Sequence, residues 1–519
     1  MQLNLASVRD LEELRDGFYW PIREKEKQEL FLLLEESYRS LFLRNTDPYA
    51  DLLLRSLLTF LTQTTFQIVY AGVCVNAAKR TGTFYEQFVP SPVDFFSWLF
   101  SESNVPAYYA EEYLRKYAGP LSRAKGAVCT VKNLPTYRDP GILKISDNIT
   151  MSRYLEMEGI LARPSAFSEW FPLRVSDARR RKTRREVERL ASMAFKDVWN
   201  RVGPMVSGHH RIKLSLKELI YSSFAESSIH LTHALRLAKR RKVTDLYTAT
   251  QGYIGTRIIS LAVREYGGEV SSFPHAGGLV YTVPHTWMIE PLCTDVFYCY
   301  TEMEKTIRLN QIKAVRSEGL AKHRVLPKGA PAVSRKAVRA SAGKKVMYLA
   351  GGYPGDRFFY DVLPESVRMS LEVSIIDALL AAGCEVTIKL HRKTRLLPHI
   401  KALLQDSYGD RVTIMDEPLT GLLQKGVDVD VFFSENLGGG SLVEVMKTDK
   451  SVVLVTAHKH LLDASIKKEF HERVRVIEAV EGEGNRLQVR EEDVLLALQS
   501  TNSHSYAFVD LMSNSLFAY

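Results

Sequence analysis

Short apolar runs in this 519-residue chain end repeatedly in residues that suit phosphate chemistry. The run Glu385–Leu390 closes on His391-Arg392-Lys393-Thr394. An imidazole and two cations at a strand's carboxyl edge, just before a helix, suit a phosphate ester; a solvated basic turn is the plain alternative. The run Val429–Phe433 is followed by Ser434-Glu435-Asn436-Leu437-Gly438-Gly439-Gly440-Ser441. Gly439 and Gly440 let backbone approach a ligand closely. Ser441 is placed to cap the next helix, whose N–H groups and positive dipole end favour an anion. Glu444, one turn in, is placed to accept from ribose hydroxyls. A flexible connection with an ordinary cap is the structural alternative. A third anion-facing loop is Gly351–Gly355, with Gly352 inside it and Asp356-Arg357 after it. No GKS or GKT follows and the pattern is not GxGxxG, so neither a Walker loop nor a standard dinucleotide site is indicated.

Earlier in the chain, Glu269–Phe273 ends in Pro274-His275-Ala276-Gly277-Gly278. His275 at a strand end suits polarising a leaving phosphate or acting as acid or base. Glu290 precedes the run Asp295–Tyr300, Gln251 and Gly252 close Leu246–Thr250, and Arg257 lies on the following helix. Each has a structural reading; their convergence on one sheet edge singles them out. Asp428-Val429-Asp430 spells DxD but opens an apolar strand, at the wrong end of a sheet to hold a donor's metal. His230, His233 and Glu226, with His209-His210 nearby, are accompanied by no CxxC or HExxH, so no metal ligands are assigned. No GxSxG elbow is present.

These residues need a scaffold, and the chain supplies one. Val346–Leu349, Glu385–Leu390, Val412–Met415, Val429–Phe433, Val452–Val455 and Val474–Ile477 read as buried parallel strands, being apolar runs rather than alternating patterns. Helices are expected at about Pro364–Ala382, Leu396–Gln405, Pro418–Gln424, from Ser441, and His460–Glu469. Residues 344–519 thus form a Rossmann-like domain. Leu246–Thr250, Thr256–Tyr266, Glu269–Phe273 and Asp295–Tyr300 repeat the theme, which places a first α/β domain at 1–320. The basic, Ala- and Pro-containing stretch 321–343 reads as a linker. Asp10–Leu43, Tyr49–Lys79 and Arg179–Lys196 look helical, and further strands of the first sheet are expected near Phe66–Val75 and Gly126–Val131. Ligands in such folds sit beyond the carboxyl ends of the strands.

Composition bounds the partners. Hydrophobic residues make up 45% and charged residues 25%, which argues against a largely disordered chain. The 69 basic residues against 60 acidic give +9, which admits an anionic partner. Arg179-Arg180-Arg181-Lys182 and Lys239-Arg240-Arg241-Lys242 lack interleaved aromatics, so nucleic acid is not expected; peripheral contact with an anionic membrane is the alternative to a solvated helix face. Five scattered cysteines without CxxC fit reduced thiols in a cytosolic protein. No run approaches 18 uninterrupted apolar residues, and the first residues lack the basic-then-apolar plan of a secretory signal.

The ordered set PHAGG, Glu290 before TDVFYCY, VMYLAGGYPGD, TIKLHRK, DVDVFFSENLGGGSLVEV and SVVLVTA resembles bacterial surface-carbohydrate glycosyltransferases of the GT-B type. It is most similar to capsule and lipopolysaccharide enzymes that transfer Kdo or related sugars from CMP donors. The resemblance covers about residues 245–460. His275 with Gly277 and Gly278 matches the family's QHGG-like segment, with Pro for Gln and an inserted Ala. Glu290 and Asp295 match its Glu before an Asp-led strand. Lys389 and His391 match its KxHP segment, where Arg392 replaces the proline, and Gly440-Ser441 match its Ser-rich turn. The resemblance implies two Rossmann-like domains facing a cleft and a cytoplasmic enzyme, peripheral at the inner face of the membrane. It implies a CMP-linked, Kdo- or sialic-acid-like donor as co-substrate, a polysaccharide or glycolipid acceptor, and no further cofactor. A nucleotide-sugar epimerase, a CDP-polyol phosphotransferase and a non-catalytic glycan- or nucleotide-binding relative share the same expectations of fold.

Overall fold

Strands sandwiched between helical layers must be apolar on both faces, and the described strands of the second half obey this. In two of them every residue from Val346 to Leu349 and from Val431 to Ser434 is buried. The computed structural model describes residues 8–15, 19–44, 47–80, 141–165, 167–171, 184–206, 210–249, 251–273, 291–313, 322–326, 345–353, 363–391, 397–437, 439–458, 462–499 and 506–512.

The first part of the chain runs α1 (Glu12–Arg15), α2 (Glu24–Arg44), α3 (Pro48–Arg80), β1 (Ile142–Ile145), α4 (Ile149–Met157), β2 (Arg163–Pro164), α5 (Arg184–Val202) and α6 (His210–Arg241). It continues with β3 (Asp245–Thr248), α7 (Ile254–Glu265), β4 (Glu269–Ser272), β5 (Val296–Cys299), α8 (Glu302–Lys313) and β6 (Lys322–Val325). The second part runs β7 (Lys345–Leu349), α9 (Glu365–Ala381), β8 (Glu385–Lys389), α10 (Leu397–Tyr408), β9 (Val412–Met415), α11 (Leu419–Gln424), β10 (Val431–Ser434) and α12 (Gly440–Met446). It ends with β11 (Ser451–Thr456), α13 (Lys467–Arg473), β12 (Arg475–Glu478), the hairpin β13 (Val480–Glu481) and β14 (Leu487–Gln488), α14 (Glu491–Gln499) and α15 (Ala507–Met512).

The protein is therefore α/β, with two parallel six-stranded sheets. The first has the order β2-β1-β3-β4-β5-β6, the second β12-β11-β10-β7-β8-β9. In the second sheet the chain leaves β7 toward β8 and β9, then returns across β7 to β10. This is the doubly wound order of dinucleotide folds, and its reversal point lies between β7 and β10. Val346 sits opposite Val431 and Leu349 opposite Ser434, so both strands release their following loops at the same level. The first sheet reverses between β1 and β3.

Several expectations need correction. Phe66–Val75 is not a strand but the second half of α3, where Phe66, Ile68, Val69, Tyr70, Ala71 and Cys74 are all buried. A helix buried all round loses its 3.6-residue signature, and an aromatic and β-branched run then mimics a strand. Asp47 and Pro48 begin this helix in the usual way, the Asp47 carboxylate accepting from Ala50 N at 2.7 Å. The segment Pro48–Cys74 is long and apolar enough to cross a membrane, yet 83% of its apolar window is buried inside the protein. Residues 322–325, read as linker, pair with β5 as strand β6; an edge strand tolerates the Lys-His-Arg composition that hid it. Residues 142–145 and 163–164, not foreseen as strands, complete the first sheet. The expected strand near Gly126–Val131 lies outside the described residues.

The amino-terminal stretch, assigned above to the first domain, packs on the second. The Arg15 guanidinium makes two bonds of 2.9 Å to the Asp377 carboxylate of α9. Trp20 N donates to Gly484 O at 2.7 Å, and Asn485 Nδ2 returns a bond to Trp20 O at 2.6 Å. At the start of α2, the buried Glu24 carboxylate binds Lys27 Nζ at 2.7 Å and His458 Nε2, beyond β11, at 2.8 Å. Burial by itself raises the Glu24 carboxyl, but Lys27 and His458 outweigh it and hold the group below its ordinary value.

Candidate functional site

The reversal point of the second sheet is built by two loops. Gly351, Gly352 and Tyr353 follow β7, and Glu435 follows β10. A side chain at Gly351 has no room: a Cβ there would lie 2.0 Å from Glu435 Oε1 and 3.0 Å from Arg368 Nη1. A Cβ on Gly352 would lie 3.3 Å from His391 Nδ1, which places the exposed imidazole after β8 against this turn. Glycine is thus required by close approach rather than by a left-handed backbone.

Beneath the turn lies a buried ionic network. Gly351 N donates to Glu372 Oε1 at 3.1 Å, and the Tyr353 hydroxyl donates to Glu372 Oε2 at 2.5 Å. Arg368 Nη1 donates to Gly352 O, and Arg368 Nε stands 3.5 Å from Glu435 Oε1. Arg368 and Glu372 share one face of α9, one turn apart, and Tyr348 of β7 completes the cluster. Two carboxylates here meet one guanidinium out of water. Burial first, and then the nearby Glu435 charge, push the Glu372 carboxyl up from 4.5 to about 8, against the pull of Tyr353, Arg368 and the Gly351 N–H. Burial also raises the hydroxyls of Tyr348 and Tyr353 well above their ordinary value. Burial disfavours the Arg368 cation, but the surrounding groups, the Glu435 carboxylate foremost, outweigh it and raise the guanidinium above its ordinary value.

The structure brings together Gly352 and His391, with Lys389 closing β8 beside β7. Lys389 is 7% exposed and its Nζ donates to Leu390 O. Gly439 and Gly440 open α12 on the β10 side of the same reversal point. The helix cap is Gly439, not Ser441, which lies inside the first turn; glycine there avoids a clash with Asn436, whose Nδ2 is 3.0 Å from a Cβ placed on Gly439. Glu444 is tied to Lys447 by an ion pair of 3.0 Å one turn on.

Two first-domain candidates are held by internal hydrogen bonds. The Gln251 side chain is fully buried and donates to Ser260 Oγ at 2.9 Å. Arg257, 1% exposed, donates through Nε to Ser56 O of α3 at 2.9 Å. Both knit α7 into the helical layer, because the first turn of a helix following a parallel strand faces the sheet and its neighbours as readily as the loop edge. His275, Gly277, Gly278, Glu290, Lys393 and the Asp356-Arg357 pair lie outside the described residues. Asp428 and Asp430 bind Lys345 at the opposite edge of the second sheet, Asp430 Oδ2 accepting from Lys345 N at 3.1 Å, which agrees with their structural reading. His230 lies edge-on to Phe171 and is pushed down to about 4, by burial first and by His233 second. At the end of α6, Arg241 binds Glu169 at 3.1 Å and lies over the Trp170 ring, a structural use of the second basic cluster.

Arg368, Glu372 and Glu435 were not nominated from sequence. The signal was present: Arg368 and Glu372, four residues apart in SVRMSLEVSIIDALLA, fall among the buried positions of the helix. Such charges must be paired when buried. No family model matches the chain, and no curated protein matches its sequence.

Proposed function

We propose that the protein is a glycosyltransferase of GT-B organisation that moves a sugar from a nucleotide-activated donor, CMP-linked and Kdo- or sialic-acid-like, to a surface polysaccharide or glycolipid acceptor. The observation that supports the reading is that Gly352, with His391 against it, follows β7 while Gly439 and Gly440 open the helix after β10, the two strands that flank the reversal point of the second sheet. In doubly wound sheets this is where nucleotides bind. In this reading the glycines admit the phosphate to the backbone and the exposed His391 imidazole hydrogen-bonds it. Charge stabilisation is assigned to these groups and Lys393 rather than to a DxD-held cation, since Asp428 and Asp430 sit at the far edge. His275 is the acid/base candidate, Glu290 the second, and Gly277 and Gly278 are assigned to the acceptor side. The enzyme is assigned to the cytoplasmic side of the membrane, with peripheral contact resting on the +9 charge of the chain.

Isothermal calorimetry with CMP, CMP-sugars and UDP compounds tests the donor. CMP compounds are expected to bind, with affinity falling roughly tenfold in His391→Ala. Binding of UDP compounds alone refutes the CMP assignment. Donor binding without transfer over a broad acceptor panel favours the non-catalytic relative, and donor-dependent epimerisation or polyol-phosphate transfer favours the enzymes that share this pocket.

A further inference from the structure

We propose that Arg368, Glu372 and Glu435 are positioning residues for the turn Gly351–Tyr353, with Glu372 acting as a neutral carboxylic acid and Arg368–Glu435 as the ion pair beside it. This deepens the nucleotide-site reading and rests on it. Two backbone groups of the turn are fastened from below, Gly351 N–H by Glu372 Oε1 and Gly352 C=O by Arg368, while Tyr353 Oη lies 2.5 Å from Glu372 Oε2, the contact that carries the acid's proton when Glu372 is neutral, the Tyr353 hydroxyl hydrogen then turning to Met369 Sδ at 3.1 Å. Glu435 fills the space a side chain on Gly351 would need.

Charge balance dictates the protonation state. The groups facing Glu372 are Arg368 on its own helix, Tyr348 from β7, Tyr353 from the turn and Glu435 from the loop after β10. With one guanidinium and two ionised carboxylates the cluster would carry a net negative charge directly under a turn that receives a phosphate. With Glu372 neutral it carries none. Burial raises the Glu372 carboxyl in the direction this requires. Ionisation of Glu372, itself fully buried, would place an uncompensated negative charge beneath the turn that faces the nucleotide phosphate. Nucleotide affinity therefore falls as pH rises through that ionisation.

Calorimetry with CMP from pH 7 to pH 9 reads the effect. Wild-type affinity is expected to fall by roughly tenfold across the range. In Glu372→Gln, which is neutral at every pH and keeps a carbonyl for Gly351 N–H, affinity stays level over the same range whatever its value at pH 7. A level wild-type profile, or the same fall in Glu372→Gln, overturns the proposal. Infrared difference spectroscopy of the ligand-free protein supplies an independent readout. A protonated-carboxyl band is expected at pH 7 that fades toward pH 9 and is missing in Glu372→Gln; no such difference overturns the neutral-acid assignment. Wild-type protein that binds no nucleotide at any pH refutes the donor reading, and the infrared band then still decides the state of Glu372.

Discussion

Replacing Glu372 by glutamine tests the buried network through stability as well as binding. The carboxyl has an ordinary value of 4.5 and is pushed up to about 8 in the folded chain. Each unit of displacement corresponds to about 1.4 kcal/mol, so the difference amounts to on the order of 4–5 kcal/mol. The sign follows from proton counting. Below the unfolded value, Glu372 is protonated in both states and its contribution is fully present. As pH rises toward the folded value, the unfolded chain releases this proton while the folded chain keeps it, so wild-type stability falls with pH; above about 8 both states are ionised and the loss is complete. Glutamine has no such proton. Guanidinium titrations of both proteins at pH 5, 6, 7 and 8 isolate the effect, because other titrating groups cancel in the difference. The stability of Glu372→Gln relative to wild type is expected to rise by roughly 1.4 kcal/mol per pH unit over this range. A difference that stays constant within about 1 kcal/mol would refute the neutral buried acid.

Gly351→Ala forces Glu435 away from Arg368, since the new Cβ lies 2.0 Å from Glu435 Oε1; a loss of about 3 kcal/mol and weakened CMP binding are expected, and denaturation and calorimetry at wild-type levels would contradict the close packing. Glu24→Gln leaves Lys27, 1% exposed, without its countercharge and is expected to cost about 3 kcal/mol at neutral pH. Because Glu24 is held below its ordinary value, that contribution is present above the carboxylate range and lost as pH falls through the folded value; the two proteins should converge in acid, and parallel pH profiles would count against the pairing. Arg257→Met removes the bond to Ser56 O and is expected to lower stability by about 2 kcal/mol while CMP affinity stays at the wild-type level; a selective loss of affinity would return Arg257 to the site.

The sequence alone located all six strands of the second sheet, since apolar runs bounded by glycine and charge leave little choice when both faces of a strand are buried. It also singled out Gly352, His391, Gly439 and Gly440 as loop residues after those strands, a property of local order. It could not show that α3 is helical through Phe66–Val75, because a run buried on every side carries no period. Nor could it show that a Lys-His-Arg segment is an edge strand, since edges are recognised by what lies beside them. Only tertiary structure gave Gln251 and Arg257 their internal partners, attached Arg15, Trp20 and Glu24 to the second domain, and set Gly351 against Glu435. The network of Arg368, Glu372 and Glu435 joins an α9 face to a loop more than sixty residues later in the chain. Its chemistry depends on removal from water and on distances of a few ångströms, which neither composition nor spacing along the chain encodes.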